Sequence, residues 1–145
     1  MLNNYADTIQ EHVSECVEDL ESLHKFLKER SWTRVERKGA ERLLQILVES
    51  CIGVAKHWLK QQGKTLPNDA YSVFEKLTEL QLISPDERLE WQKFIDIRNA
   101  IVHGHLEINL NLDEKVIRAI ISNQLYLSLQ KFAITTSDKL RTPNK

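Results

Sequence analysis

Residues 43–59 read LLQILVESCIGVAKHWL, and the apolar positions of this stretch recur with the period of a helix. The apolar side chains cover most of the helix circumference. A narrow polar stripe interrupts them and consists of Arg42, Gln45, Glu49 and Lys56. A helix that is apolar over so wide an arc packs against several neighbours at once. The stretch therefore predicts a central helix of an all-α protein, running to about Gln62 and stopping at Gly63.

Working outward from this helix, the same spacing predicts a preceding helix over about residues 3–29. Ser31 or Thr33 caps the start of the central helix, because either hydroxyl can accept a free backbone N–H group. After a turn at 67–69, Asp69 caps a short helix that runs through Leu80. These helices form the first half of the predicted fold.

The second half begins at residues 84–87, Ser-Pro-Asp-Glu, where a capping serine, a proline and a glutamate follow in the order of a helix start. This helix is predicted to run to about His103, since Gly104 follows directly. Asp113 is predicted to cap a last helix through about Ile134.

Four long helices and one short helix predict an antiparallel four-helix bundle with one extra short helix. Its 145 residues include only four glycines and three prolines, as expected for helices. We expect a single domain over 1–135 and a flexible tail over 136–145.

The net charge of −1 hides an uneven distribution, because residues 25–42 alone carry seven basic and three acidic side chains. Basic clusters are typical of nucleic-acid binding. Arg34, Arg37 and Arg42 are therefore candidate substrate-binding residues. The alternative is a solvated corner between two helices, which is the common role of charge runs.

Several functional classes are not indicated. No apolar stretch approaches the length of a membrane span, and the N-terminus lacks signal-peptide features, so we expect a cytosolic protein without a membrane partner. Cys16 and Cys51 fall on apolar helix faces and are predicted to be buried thiols. His12, His24 and His57 are expected at the surface or an interface, with no structural metal and no cofactor.

The chemistry is carried by residues 98–103, Arg-Asn-Ala-Ile-Val-His. The guanidinium of Arg98 suits phosphate, and the imidazole of His103 can move protons at neutral pH. On an ideal helix these side chains lie about 140° apart, so they share a face only if His103 escapes helical geometry at the helix end.

The alternative is that this pair has only a structural role. Arg98 would then form an ion pair, with Asp96 or Glu90 as the expected partner, and His103 would cap the helix. Glu49 of the central helix is a further candidate, which either orients Arg42 or Arg98 or belongs to a plain surface stripe.

The run Arg98-Asn99-x-x-x-His103 resembles the R-x4-6-H motif of the HEPN superfamily. Residues 41–57 and the order of the helices are similar to the HepT-like branch, the helical toxins of the MntA–HepT type. The resemblance covers roughly residues 5–135. It implies a HEPN bundle and a metal-independent RNA endonuclease that acts as the toxin of a type VII toxin–antitoxin pair.

The resemblance also implies roles for individual residues. His103 would act as general base or general acid, and Arg98 would stabilise charge on the phosphorane, leaving a 2′,3′-cyclic phosphate. A homodimer would place two copies of the motif in one cleft. Asn99 would contact phosphate or fix its neighbours, or else is simply an exposed polar residue.

One position departs from the family pattern. HepT toxins usually continue as R-x4-H-x-Y, and the tyrosine receives AMP from an MntA-like nucleotidyltransferase antitoxin. Here the position is His105, which either supports His103 or is a plain loop residue. The alternative functions are therefore a non-catalytic nucleotide- or substrate-binding subunit of a minimal nucleotidyltransferase and a helical dimer with a scaffolding role.

Overall fold

The computed structural model describes the backbone of residues 2–103 and 110–141 and the side chains of residues 3–103 and 114–141. Over these ranges the regular structure is entirely helical, which confirms the predicted all-α class. The helices are α1 (Leu2–Glu29), α2 (Arg34–Gln61), α3 (Ala70–Glu79), α4 (Pro85–His103), α5 (Leu110–Ser122) and α6 (Tyr126–Asp138).

Helix α2 is the centre of the bundle, as its wide apolar arc predicts. It contacts each of the other five helices, while α1 and α6 pack against each other beside it. Its buried side chains include Leu44, Leu47, Val48, Cys51 and Leu59. The polar stripe that contains Glu49 remains accessible where α2 meets α4.

Three of the helix starts follow the predicted capping residues. Thr33, rather than Ser31, caps α2, and Glu36 completes a capping box with it. Asp69 caps α3 by accepting from the Ser72 N–H group. Ser84 and Glu87 exchange backbone-to-side-chain hydrogen bonds of 2.9 and 3.1 Å at the start of α4. Local chain chemistry thus sets these three boundaries.

The prediction of one last helix from Asp113 to Ile134 is wrong. The chain instead forms α5 and α6, and Gln124 between them has a φ of 52°. Asp113 does not cap a helix, because α5 already begins at Leu110. A positive φ breaks a helix, and glycine is the residue that usually adopts it. A glutamine gives no such signal, so the local sequence does not predict this break.

Three side chains, which we call the joint cluster (Glu21, Gln124 and Tyr126), hold this break against α1. The Tyr126 hydroxyl donates to Glu21 Oε1 at 2.7 Å, and Gln124 Nε2 donates to the same carboxylate at 3.1 Å. Tyr126 is fully buried. Its hydrogen bond is the main reason that the pKa of Glu21 is lowered.

The expected flexible tail from residue 136 differs from the structure at its first positions. Thr136, Ser137 and Leu140 are buried, and α6 extends to Asp138. Gln10 of α1 donates to Asp138 at 2.8 Å, so this end of α6 is fixed to the start of the bundle. Residues 142–145 lie outside the described residues.

Both cysteines are free and buried, as predicted. Burial raises the pKa of the Cys16 thiol to about 11 and raises that of Cys51 as well. The expectation for histidines is wrong at His24, which is only 8% exposed. No described helix is long and apolar enough to cross a membrane.

Candidate functional site

Helix α4 carries Arg98 on its buried face. The buried positions Trp91, Phe94, Ile95 and Ile101 define the side of α4 that faces the core. At 100° per residue, Arg98 lies near the middle of that side. Its position explains why the apolar periodicity of this helix is interrupted only there.

The charge of Arg98 is balanced by the central helix. Arg98 Nη1 lies 3.8 Å from Glu49 Oε2, and the two side chains are 23% and 41% exposed. Gln45 donates to the same Glu49 carboxylate at 3.3 Å. The expected partners Asp96 and Glu90 are therefore wrong, because Asp96 bonds to Tyr71 and Glu90 pairs with Lys93.

One buried donor of Arg98 has no hydrogen-bond partner among the described residues. Among the described side chains, its Nε is the only buried nitrogen or oxygen atom without a hydrogen-bond partner. Buried polar groups are almost always paired, since an unpaired donor costs about 1–3 kcal/mol. A guanidinium that is only loosely paired and keeps a free donor is suited to receive an anion.

A second set of side chains, which we call the motif cluster (Tyr71, Asp96 and Asn99), joins α3 to α4. The Tyr71 hydroxyl donates to Asp96 Oδ1 and accepts from Asn99 Nδ2 at 3.2 Å. The hydrogen bond to Asp96 is the main cause that raises the pKa of Tyr71, whereas the charge of Arg98 acts in the opposite direction. The sequence did not indicate Tyr71, because its partners lie 25 and 28 residues away.

His103 is the last residue of α4, and its side chain is exposed. Since α4 stays helical to this residue, His103 and Arg98 project about 140° apart. Within one chain the structure brings Arg98 to Glu49 and leaves His103 on another side of the helix. His105 lies outside the described residues.

The candidate substrate-binding arginines lie on α2. Arg34, Lys38 and Arg42 are exposed and four residues apart, so they follow one face of the helix, and we call them the basic row. Arg34 and Lys38 line a surface hollow with Arg37, but Arg42 is not part of it. Arg37 is turned toward α5, where its Nη1 lies 3.5 Å from Glu114.

The basic row points along α2 toward the motif. Seven residues separate Arg42 from Glu49, which corresponds to about 10 Å along the same helix face. Among the described residues, no group of three or more His, Cys, Asp or Glu side chains could hold a metal ion.

Fold and site together define a helical-bundle protein with an arginine–histidine motif at the end of one helix. A family model described as "Ribonuclease HepT-like" matches residues 13–133. This chain therefore belongs to the HepT-like ribonuclease family, which confirms the resemblance noted in the sequence.

Two individual proteins are similar to it. Over 75 residues the chain is 31% identical to "mRNA nuclease HepT" from Shewanella oneidensis, a match that covers 52% of this chain and 56% of that protein. The solved structure "Crystal structure of the toxin-antitoxin with AMP-PNP" matches with a TM-score of 0.68 and 19% identity, covering 88% of this chain and 96% of that one. The second match shows the fold alone.

Proposed function

We propose that this protein is a metal-independent RNA endonuclease that acts as the toxin of a toxin–antitoxin pair. Membership of the HepT-like ribonuclease family and the similarity to an mRNA nuclease support RNA as the substrate. The finer assignments concern the two motif residues, the dimer and the partner, and each rests on a separate feature of the molecule.

The observation that carries the proposal is the environment of Arg98. Its guanidinium is held in a partly buried place by one loose ion pair to Glu49, and its Nε has no partner. A phosphate that displaced Glu49 would take over this ion pair. Because charge builds on a phosphodiester during cleavage, such a prepositioned guanidinium stabilises the transition state more than the ground state.

His103 supplies the proton transfer. Its exposed imidazole can accept a proton from a ribose 2′-hydroxyl or protonate the leaving 5′-oxygen, and the product would be a 2′,3′-cyclic phosphate. Arg98 and His103 of one chain diverge by about 140° along α4. A two-fold homodimer solves this problem, since the one cleft on its axis would receive an arginine and a histidine from each chain.

The RNA backbone would approach along α2. The exposed cations of the basic row lie on the face of α2 that also carries Glu49. Their spacing of four residues corresponds to about 6 Å along the helix. Successive phosphates of a single strand would contact these side chains before one reaches Arg98, as in other channels for single strands. Arg37 is less suited to contact RNA phosphates, because Glu114 already pairs with it.

The proposed partner is an MntA-like nucleotidyltransferase antitoxin. The structural neighbour was crystallised as a toxin–antitoxin with AMP-PNP, which supports a nucleotide-using partner for this fold. Position 105 is histidine in this chain, so AMP transfer to a tyrosine phenol at that position is not part of the proposal. We assign His105, together with Asn99, a supporting role beside His103.

The direct test is cleavage of a defined single-stranded RNA by the purified protein in the presence of EDTA. We expect fragments ending in 2′,3′-cyclic phosphate, and we expect His103→Ala to abolish them. His12→Ala is the matched control, because His12 is also an exposed helical histidine but lies on α1. Cleavage that EDTA stops, or that His103→Ala retains, would overturn the proposed mechanism.

A second candidate function is a non-catalytic subunit that binds a nucleotide or substrate for a nucleotidyltransferase. The divergence of Arg98 and His103 within one chain favours it, since a monomer would have no complete site. The two functions differ in a simple measurement. A protein that is monomeric in solution, leaves RNA intact and does not arrest growth on expression is the binding subunit.

A further inference from the structure

Tyr71 stands at the centre of a linear chain of hydrogen bonds. Its hydroxyl has one proton, and that proton is donated to the Asp96 carboxylate, which can only accept. The same oxygen accepts from Asn99 Nδ2 at 3.2 Å. The direction of each hydrogen bond in the motif cluster is therefore set by the charge at its Asp96 end.

This direction fixes the orientation of the Asn99 amide. If the amide were flipped, its oxygen would face a hydroxyl oxygen whose only proton is already in use, and two acceptors would oppose each other. The nitrogen must therefore point to Tyr71, and the carbonyl Oδ1 is left without a partner among the described residues. Asn99 thus presents an acceptor to whatever lies beyond it.

The neighbouring polar group on this face of α4 is His103, whose ring has no hydrogen-bond partner among the described residues and is therefore free to use this acceptor. Asn99 and His103 are four residues apart on α4 and share a face, with Cβ atoms about 5–6 Å apart. A helical side chain leans over the turn that precedes it, so the imidazole of His103 leans toward Asn99 rather than away from it. Asp96, Asn99 and His103 all fall within one arc of about 60° on α4.

We propose that Asp96, Tyr71 and Asn99 form a positioning relay that holds the His103 imidazole in one tautomer by offering the Asn99 carbonyl to a ring N–H group. The opposite ring nitrogen is then left unprotonated and faces the substrate. Tyr71 and Asp96 are positioning residues, since neither is expected to touch RNA. The catalytic consequence rests on the proposed ribonuclease function, whereas the tautomer itself does not.

The relay gives the short helix α3 a role beyond its packing in the core. Helix α3 has only 10 residues, and Tyr71 is the second of them, in the first turn after the Asp69 cap. Without the Tyr71 hydroxyl, the Asn99 amide would be free to turn. The imidazole would then distribute over both neutral tautomers, of which only one leaves the required nitrogen free.

The experiment measures the nitrogen chemical shifts of His103 in the full-length protein labelled with ¹⁵N-histidine, at pH about 8.5, where imidazole side chains are neutral. The spectrum of His103→Ala assigns the signal. We expect one dominant tautomer in the wild type and a mixture of both in Tyr71→Phe, which keeps the ring and removes only the hydroxyl.

The kinetic readout is RNA cleavage by the same variants. Tyr71→Phe should lower kcat about tenfold and leave KM within about twofold, as expected when a catalytic group loses its orienting partner. Tyr126→Phe is the matched control, because it removes a hydroxyl that also donates to a carboxylate, in the joint cluster. It should leave both the tautomer and kcat unchanged.

Asp96→Ala breaks the same relay from its other end and provides a second variant if Tyr71→Phe does not fold. Unchanged His103 shifts in the folded variants would overturn the relay, whatever their activity. An altered tautomer with unchanged kcat would overturn its role in the reaction. Absence of RNA cleavage by the wild type would instead overturn the proposed function, and the nitrogen shifts would still decide the relay.

Discussion

The joint cluster and the motif cluster contain the same three chemical groups, a tyrosine hydroxyl, a carboxylate and a primary amide, but connect them differently. In the joint cluster, Gln124 and Tyr126 both donate to Glu21, so the hydrogen bonds converge on one acceptor. In the motif cluster, Asn99 donates to Tyr71, and Tyr71 donates to Asp96. The first arrangement converges on one carboxylate, whereas the second runs in series through the tyrosine hydroxyl.

The two clusters also differ in their burial and in the groups that lie beside them. Tyr126 is fully buried and holds the break between α5 and α6 against α1. Next to the motif cluster, Arg98 is partly exposed and keeps an unpaired Nε. A cluster built on a buried tyrosine at a helix break stabilises the fold, whereas a cluster beside a loosely paired cation lies where a ligand can bind. We propose that this contrast separates structural from functional polar groups in the protein.

The largest expected effect is that of Arg98→Ala on RNA cleavage, with a loss of about 10²–10³ in rate because the charge on the phosphorane is no longer balanced. The free energy of unfolding should change by less than about 1 kcal/mol, since the ion pair to Glu49 is loose and partly exposed. Cleavage rates and chemical denaturation of the same preparations check both statements.

Arg141→Ala is the control for Arg98→Ala. Arg141 is fully paired, with Asp7 at 2.8 Å and Asp138 at 3.0 Å, and it joins α1 to the end of α6. This substitution should leave the cleavage rate unchanged. If both arginine variants lost stability and neither lost activity, Arg98 would be a structural arginine and the contrast would fail.

Tyr126→Phe is expected to lower the free energy of unfolding by about 1–2 kcal/mol, because the buried hydroxyl loses a hydrogen bond to a charged partner. RNA cleavage should not change, since the joint cluster makes no contact with the motif residues. Denaturant unfolding and a cleavage assay measure the two quantities. A slower reaction with unaltered stability would show that the two clusters have been assigned the wrong roles.

A smaller effect is expected for the basic row. Replacing Lys38 and Arg42 together by alanine should weaken binding of single-stranded RNA about three- to tenfold and reduce its salt dependence, because two phosphate contacts are lost. Lys25→Ala with Lys28→Ala is the matched control, since both lysines are exposed in the same basic segment but lie on α1. Equal losses in the two double variants would favour a diffuse attraction over a path along α2.

The smallest effect concerns pH. The pKa of Glu21 is lowered in the folded protein, chiefly by the hydrogen bond from Tyr126. The stabilisation is therefore fully present above the ordinary glutamate pKa of about 4.3 and is lost as the pH falls through the lower folded value. Thermal unfolding should show Glu21→Gln less stable than the wild type by at most about 1 kcal/mol near pH 6. The difference should disappear toward pH 3. A stability difference that instead grew on acidification would contradict a lowered pKa of Glu21 in the folded protein.

Much of the fold was predictable from the sequence, because its determinants are local. The caps at Thr33, Asp69 and Ser84 act within three residues of themselves, and Gly63, with a φ of 73°, ends α2 as glycines commonly do. The break at Gln124 was not predictable, since its positive φ is stabilised by Glu21, 103 residues earlier.

The candidate site was likewise predictable from the sequence only in part. The sequence by itself determined the helical class, the central helix and the two residues whose chemistry suits a phosphodiester, Arg98 and His103, because period, capping and side-chain chemistry are properties of short stretches. Only the tertiary structure decided that Glu49 pairs with Arg98 and that Tyr71 bonds to Asp96 and Asn99. Those contacts join residues 25–49 positions apart, and such proximity is set by how helices pack, which no local pattern encodes.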